Sequence, residues 1–126
     1  MSYVRVPAQI GKDRDSAREV TFLVDTGAFY TVLPPDLARE LGIETPLVET
    51  VRLADNREAQ IRLGVAHLRA LDREGGIPVG VMDVPEPLMG VKALEALGLK
   101  VNPIAETLEY DRPYGPALLR IQESAP

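Results

Sequence analysis

The run Phe22-Leu23-Val24-Asp25-Thr26-Gly27-Ala28 constrains this chain more than any other stretch. Val20 to Val24 is uncharged and rich in β-formers, so it reads as a buried strand. A carboxylate set directly after such a strand is costly unless a partner or a reaction uses it. Gly27 lets backbone or another molecule come close to Asp25. Thr26 adds a hydroxyl able to hydrogen-bond across an interface. The bland alternative is that Asp25 closes a turn or caps a helix. Asp-Thr-Gly alone arises by chance in roughly a few per cent of chains this long, so the rest of the chain must decide.

On the N-terminal side, Tyr3 to Ile10 alternates as a strand, with Val4, Val6 and Ala8 on one face. Gly11 to Ser16 is a polar hairpin loop. After the Asp25 turn, Tyr30-Thr31-Val32-Leu33 is a second short strand. Pro34-Pro35-Asp36 opens a short helix, because Pro suits a first turn and Asp36 complements the positive helix end. Leu37 and Leu41 share a face, and Gly42 supplies a left-handed cap. Residues 47–71 read as a long β-hairpin with arms Val48 to Leu53 and Ala59 to Leu71. Its tip is Ala54-Asp55-Asn56-Arg57, where Asn56 can take a positive φ.

Arg73-Glu74-Gly75-Gly76 is predicted as a turn and Ile77 to Met82 as a buried strand. Asp83-Val84-Pro85-Glu86-Pro87 is a stiff loop. Leu88-Met89-Gly90 leads into a second short helix, Val91 to Leu97, with Leu94 and Leu97 inward and Gly98 as cap. From Val101 the chain is expected to be extended, with an edge strand at Ala117 to Ile121. Leu41-Gly42-Ile43 and Leu97-Gly98-Leu99 end the two helices alike, each with a proline soon after, Pro46 and Pro103. The echo suggests two similar halves within one domain spanning 1–126.

Scarcity narrows the chemistry. The chain has no Cys, which excludes disulfides, thiolate metal sites and Cys nucleophiles. His67 is its one histidine, so a two-His zinc motif cannot exist; mid-strand, it reads as a structural residue. The serines, Ser2, Ser16 and Ser124, occupy no nucleophile elbow. No glycine-rich phosphate loop is present. Trp is absent and the net charge is −5, which argues against a nucleic-acid partner. Met1 to Gln9 has no apolar signal region, and no stretch approaches a membrane span, so a soluble, cytoplasmic protein with no membrane partner is expected. Asp83 is expected to stabilise its turn, Met82 and Met89 to fill the core, and Lys92 and Glu95 to face solvent.

Val24-Asp25-Thr26-Gly27-Ala28, followed by Thr31-Val32-Leu33 and later by Leu88-Met89-Gly90 before a helix, resembles the retropepsin family of aspartic proteases. The order of elements is similar over nearly the whole chain. The extra helix after the Asp25 turn resembles the single-domain form of bacteria and archaea. The resemblance implies a mainly β, small closed barrel-like fold with a flap hairpin and two short helices. It implies Asp25 as the catalytic carboxylate, with Thr26 and Gly27 supporting it. Substrate would be contacted by Ala28, Phe29 and Tyr30, by the flap tip Ala54, Asp55 and Asn56, and by Val84 and Pro85. Retroviral members carry an Asp where this chain has Phe29, paired with an Arg where it has Val91. Both charges are missing together, which leaves no buried ion unpaired and makes an apolar subsite the expectation. The flap tip lacks the retroviral glycines and is expected to be more polar.

In this chemistry two carboxylates about 3 Å apart share one proton. A chain with one Asp-Thr-Gly must obtain the second from a twin, so the expected partners are a second copy and a peptide or protein substrate, without cofactor or metal. The N- and C-terminal strands are natural material for the interface, being otherwise unprotected edges. Two other readings stand beside this one. The first is a weakly active or inactive homodimeric peptide-binding or scaffold domain on the same fold. The second is an unrelated β-rich binder of small molecules.

Overall fold

The computed structural model describes residues 3–116. The elements in chain order are β1 (Arg5–Gly11), β2 (Arg18–Val24), β3 (Thr31–Leu33), α1 (Pro35–Leu41), β4 (Leu47–Arg52), β5 (Glu58–Ala70), β6 (Arg73–Val81), β7 (Leu88–Met89), α2 (Val91–Leu97), β8 (Leu99–Asn102) and β9 (Thr107–Tyr110). In β1 the period of two is plain: Val6, Ala8 and Ile10 are buried while Arg5, Pro7 and Gln9 face out. β2 is less enclosed than its composition suggests. Phe22 is fully buried, and Leu23 and Val24 are half-buried.

Strands are hydrogen-bonded in the order β1-β2-β7-β3-β6-β5-β4, and β5 also pairs with β1. The pairings therefore run in a ring through six strands, with β4 outside it. This is the mainly β, flap-bearing architecture expected from the sequence. The ring is held at its narrow points by two pairs between β2 and β7, one between β3 and β7, and three between β1 and β5. Phe22, Leu33, Leu68, Ile77, Met89 and Leu97 fill its interior. Each such side chain contributes about 1.5–3 kcal/mol when fully buried.

β5 does two jobs. Along one edge it pairs with β6 from Arg62 to Ala70. Its other edge is shared, by β4 from Glu58 to Leu63 and by β1 from His67 to Arg69. Gly64 sits at the changeover, where a Cβ would lie 2.0 Å from the Glu44 carbonyl oxygen. Only glycine lets the incoming chain pass so close. Beyond Gly64 the β4–β5 hairpin projects as a flap. Its tip turns as expected, with Asn56 at φ 71 and the Leu53 amide donating to the Arg57 carbonyl at 2.8 Å.

The two helices end as the sequence predicts, with Gly42 at φ 70 and Gly98 at φ 68. α2 has no basic residue in its own last turn. Its negative end is served instead by Arg73 of β6 and by Arg112. Arg73 Nη1 donates to the Leu97 carbonyl at 3.0 Å, and Arg112 donates to the Glu95 and Ala96 carbonyls at 2.8 and 3.2 Å.

Two expectations are corrected. Arg73 to Gly76 belong to a strand, not a turn. The turn is Leu71-Asp72, with Leu71 at φ 55 and Ala70 opposite Arg73. Gly75 is glycine because a Cβ would meet Pro116 at 2.9 Å, a packing need that imitates a turn signal. From Val101 the chain does not simply extend. It reverses after Asn102, with Glu106 at φ 58, and β8 and β9 form a separate two-stranded sheet. The predicted strand at Ala117 to Ile121 lies outside the described residues. Among the described residues no helix is long and apolar enough to cross a membrane.

Candidate active site

β2 stops at Val24, and the next residues make a tight turn. The Ala28 amide donates to the Asp25 carbonyl at 3.0 Å, and the Gly27 amide donates to Asp25 Oδ1 at 3.0 Å. The carboxylate is thus aimed by its own turn. A Cβ on residue 27 would sit 3.3 Å from that oxygen, tighter than ordinary contact. Asp25 is half-buried, while Thr26 and Gly27 are exposed.

The turn is braced from below by the second half of the chain. β7 runs parallel to β2, Leu23 opposite Leu88 and Val24 opposite Met89, and antiparallel to β3, Val32 opposite Leu88. The Asp25 amide donates to the Met89 carbonyl at 2.9 Å. Gly90 passes so close that a Cβ would lie 2.3 Å from the Tyr30 carbonyl oxygen. Its amide donates to the hydroxyl of Thr31, a fully buried side chain, at 3.1 Å. The first amides of α2, which have no partner inside the helix, go to the turn: Val91 donates to the Ala28 carbonyl at 2.8 Å and Lys92 to the Phe29 carbonyl at 3.1 Å. Where retroviral members are expected to join these two segments by an ion pair, this chain joins them through backbone.

The proposed substrate residues fall into three groups. Tyr30 and Val84 come together with Val32, Ile61, Leu63 and Val51 in a small apolar cluster between flap and floor. The Tyr30 hydroxyl donates to Glu49 Oε2 of the flap arm at 2.9 Å. That bond, then burial and the carboxylate's charge, push the phenol above its ordinary value. Phe29 instead stands exposed, edge-on to Tyr30 with centroids 4.9 Å apart and with the Lys92 ammonium 5.8 Å from its ring centre. Ala28 is half-buried in the turn, its carbonyl committed to α2.

The flap tip, Ala54, Asp55 and Asn56, is exposed and polar. Arg57 pairs with Asp55 and holds its carboxyl below the usual range, and Arg52 donates to the Asn56 carbonyl at 3.0 Å. Pro85 is exposed in a loop fastened at Glu86, which accepts two bonds from Arg5, each 2.9 Å. His67 lies in β5, where its Nε2 is 2.8 Å from Glu74 Oε1. Among the described residues no three His, Asp or Glu side chains converge as metal ligands.

A cavity of about 470 Å³ opens beside Asp25 and Thr26, lined by Tyr3, Val4, Leu23, Val24, Val101 and Pro103. Sequence reasoning assigned neither Tyr3 nor Val101 to the site. Nothing in the pattern joins two residues so far apart in sequence.

Over residues 6–104 the chain matches the family model described as aspartyl protease, and it belongs to that family. Among solved structures it is similar to "EIAV protease complexed with the inhibitor HBY-793", with 17% identity and a TM-score of 0.62, covering 80% of this chain and 93% of that one. At that identity the likeness speaks to the fold, which is retropepsin-like. No curated protein matches the chain.

Proposed function

We propose that the protein is an aspartic endopeptidase that acts as a homodimer, with Asp25 of each copy forming one catalytic pair. The observation that carries this reading is the aimed, half-buried carboxylate of Asp25 beside a cavity, held by the Gly27 amide and braced by Met89. One carboxylate of the pair takes a proton from water. The other, protonated, polarises the scissile carbonyl and then donates to the leaving amine. Thr26 is exposed beside Asp25, which supports a role in bonding across the two-fold axis of the dimer. An extended peptide would lie between the flap and the Tyr30–Val84 floor, which favours apolar or aromatic side chains next to the cut. With one proton shared by the pair, cleavage is expected to be fastest on the acid side of neutrality.

The test combines sedimentation with a peptide-library cleavage assay. The reading expects a species of twice 13.8 kDa and cleavage between apolar residues. A strict monomer at high concentration, or preference for acidic residues on both sides of the cut, would overturn it. The arginine-fastened polar flap tip favours a second reading, a peptide-binding domain without turnover. A statine-type mimic discriminates, because tight binding of it requires the paired carboxylates.

A further inference from the structure

We infer, on the homodimer reading above, that the β8–β9 hairpin is the surface on which the second copy docks, with Ile104 as its apolar anchor. If two Asp25 turns meet, whatever surrounds the turn is buried with them. That surround is the cavity floored by Tyr3 and Val4 and walled by Val101 and Pro103, so β8 flanks the axis. Ile104 follows Pro103 directly and is 95% exposed. Isoleucine is among the residues most often found inside proteins, and Tyr3, which lines the same cavity as Pro103, is itself 61% exposed.

The presentation is built, not frayed. Asn102 Oδ1 accepts from the Ile104 and Ala105 amides, both at 3.0 Å, and Asn102 Nδ2 donates to Glu109 across the hairpin at 3.0 Å. Val101 and Leu108 anchor the hairpin on the core. Structure is thus spent on holding an isoleucine away from the chain's own interior. Area points the same way. A stable interface buries on the order of 800 Å² per partner, far more than the three small residues of the Asp25 turn provide. β1, which the sequence offers as interface material, already pairs with β2 from Arg5 to Ile10 and with β5 from Gln9 to Gly11.

The test is sedimentation of wild type, Ile104→Glu and, as control, Val65→Glu, whose side chain is 69% exposed on β5. Ile104→Glu is expected to weaken dimerisation by roughly 30-fold or more, as loss of an interface anchor does, with its circular dichroism spectrum unchanged. Val65→Glu is expected to stay dimeric. Because the chain has no Cys, Ile104→Cys carries the only thiol, and its alkylation should slow at concentrations where the dimer forms. A dimeric wild type with an equally dimeric Ile104→Glu, or a thiol alkylated at the same rate at all concentrations, overturns the hairpin interface alone. A wild type that stays monomeric overturns the homodimer reading itself.

Discussion

The hydroxyl of Tyr30 donates to the carboxylate of Glu49 at 2.9 Å, so the strand leaving the Asp25 turn is tied to the arm of the flap. The bond joins residues on β4 and on the approach to β3, elements that do not pair with each other. It therefore sets where the flap stands over the floor.

Tyr30→Phe keeps the ring in its cluster and removes only this tie. Peptide cleavage by the variant should fall about three- to tenfold in kcat/KM, the equivalent of one hydrogen bond. Thermal melting should barely move, since both groups reach solvent. Cleavage equal to wild type would show that the tie does not position the flap.

Asp25→Asn should abolish peptide cleavage and leave a folded protein. Asn retains an oxygen able to accept from the Gly27 amide, which is the bond that shapes the turn. It cannot take a proton from water. Stability should stay within about 1 kcal/mol of wild type, read by denaturant melts beside the cleavage assay. A variant that cannot fold would return Asp25 to the role of a turn residue.

The brace beneath the turn is less tolerant. Thr31→Val is nearly isosteric but leaves the buried Gly90 amide without an acceptor, a cost of about 1–3 kcal/mol. Gly90→Ala drives a methyl into the Tyr30 carbonyl, where backbone and not a flexible side chain must yield. A loss of roughly 3 kcal/mol or more is expected. Urea midpoints of the two variants should fall in that order, with Gly90→Ala the lower.

Acid should loosen the Pro85 loop through the Arg5–Glu86 pair. Arg5, by its hydrogen bonds first, holds the Glu86 carboxyl below its ordinary value of 4.5. A depressed carboxylate stabilises the fold above that ordinary value, and its contribution is lost as pH falls through the lower, folded one. Glu86→Gln should therefore melt below wild type at pH 6, and the gap should close as pH falls through the lowered, folded value. Following the gap between the two proteins cancels the other acid-sensitive pairs. A gap that does not change with pH would mean the pair contributes no linkage.

Much of this was legible from residue order because local chemistry and tertiary packing agree there. Gly42 and Gly98 end helices with positive φ, and Asn56 turns the flap tip. Legibility failed where one signal had two causes. Gly75 is a glycine for Pro116, not for a turn, whereas the real turn uses Leu71 at φ 55, which no propensity favours. The Asp25 turn was readable as a motif, but its brace was not. Thr31 meeting Gly90, Arg112 meeting the end of α2, and Tyr3 facing Val101 are long-range meetings that one chain's periodicity cannot encode.

The grip of Arg112 on the end of α2 also sets a timetable. During synthesis Asp25 leaves the ribosome well before Met89, Val91 and Lys92, whose backbones fix its turn. The Glu95 carbonyl of the helix holding the last two already accepts from the Gly98 amide, but the side-chain bonds to Glu95 and Ala96 form only when Arg112 arrives. A nascent chain therefore carries Asp25 unbraced until almost all of the described polypeptide has emerged. The carboxylate comes early and its scaffold late, so a growing chain displays the motif without the means to use it.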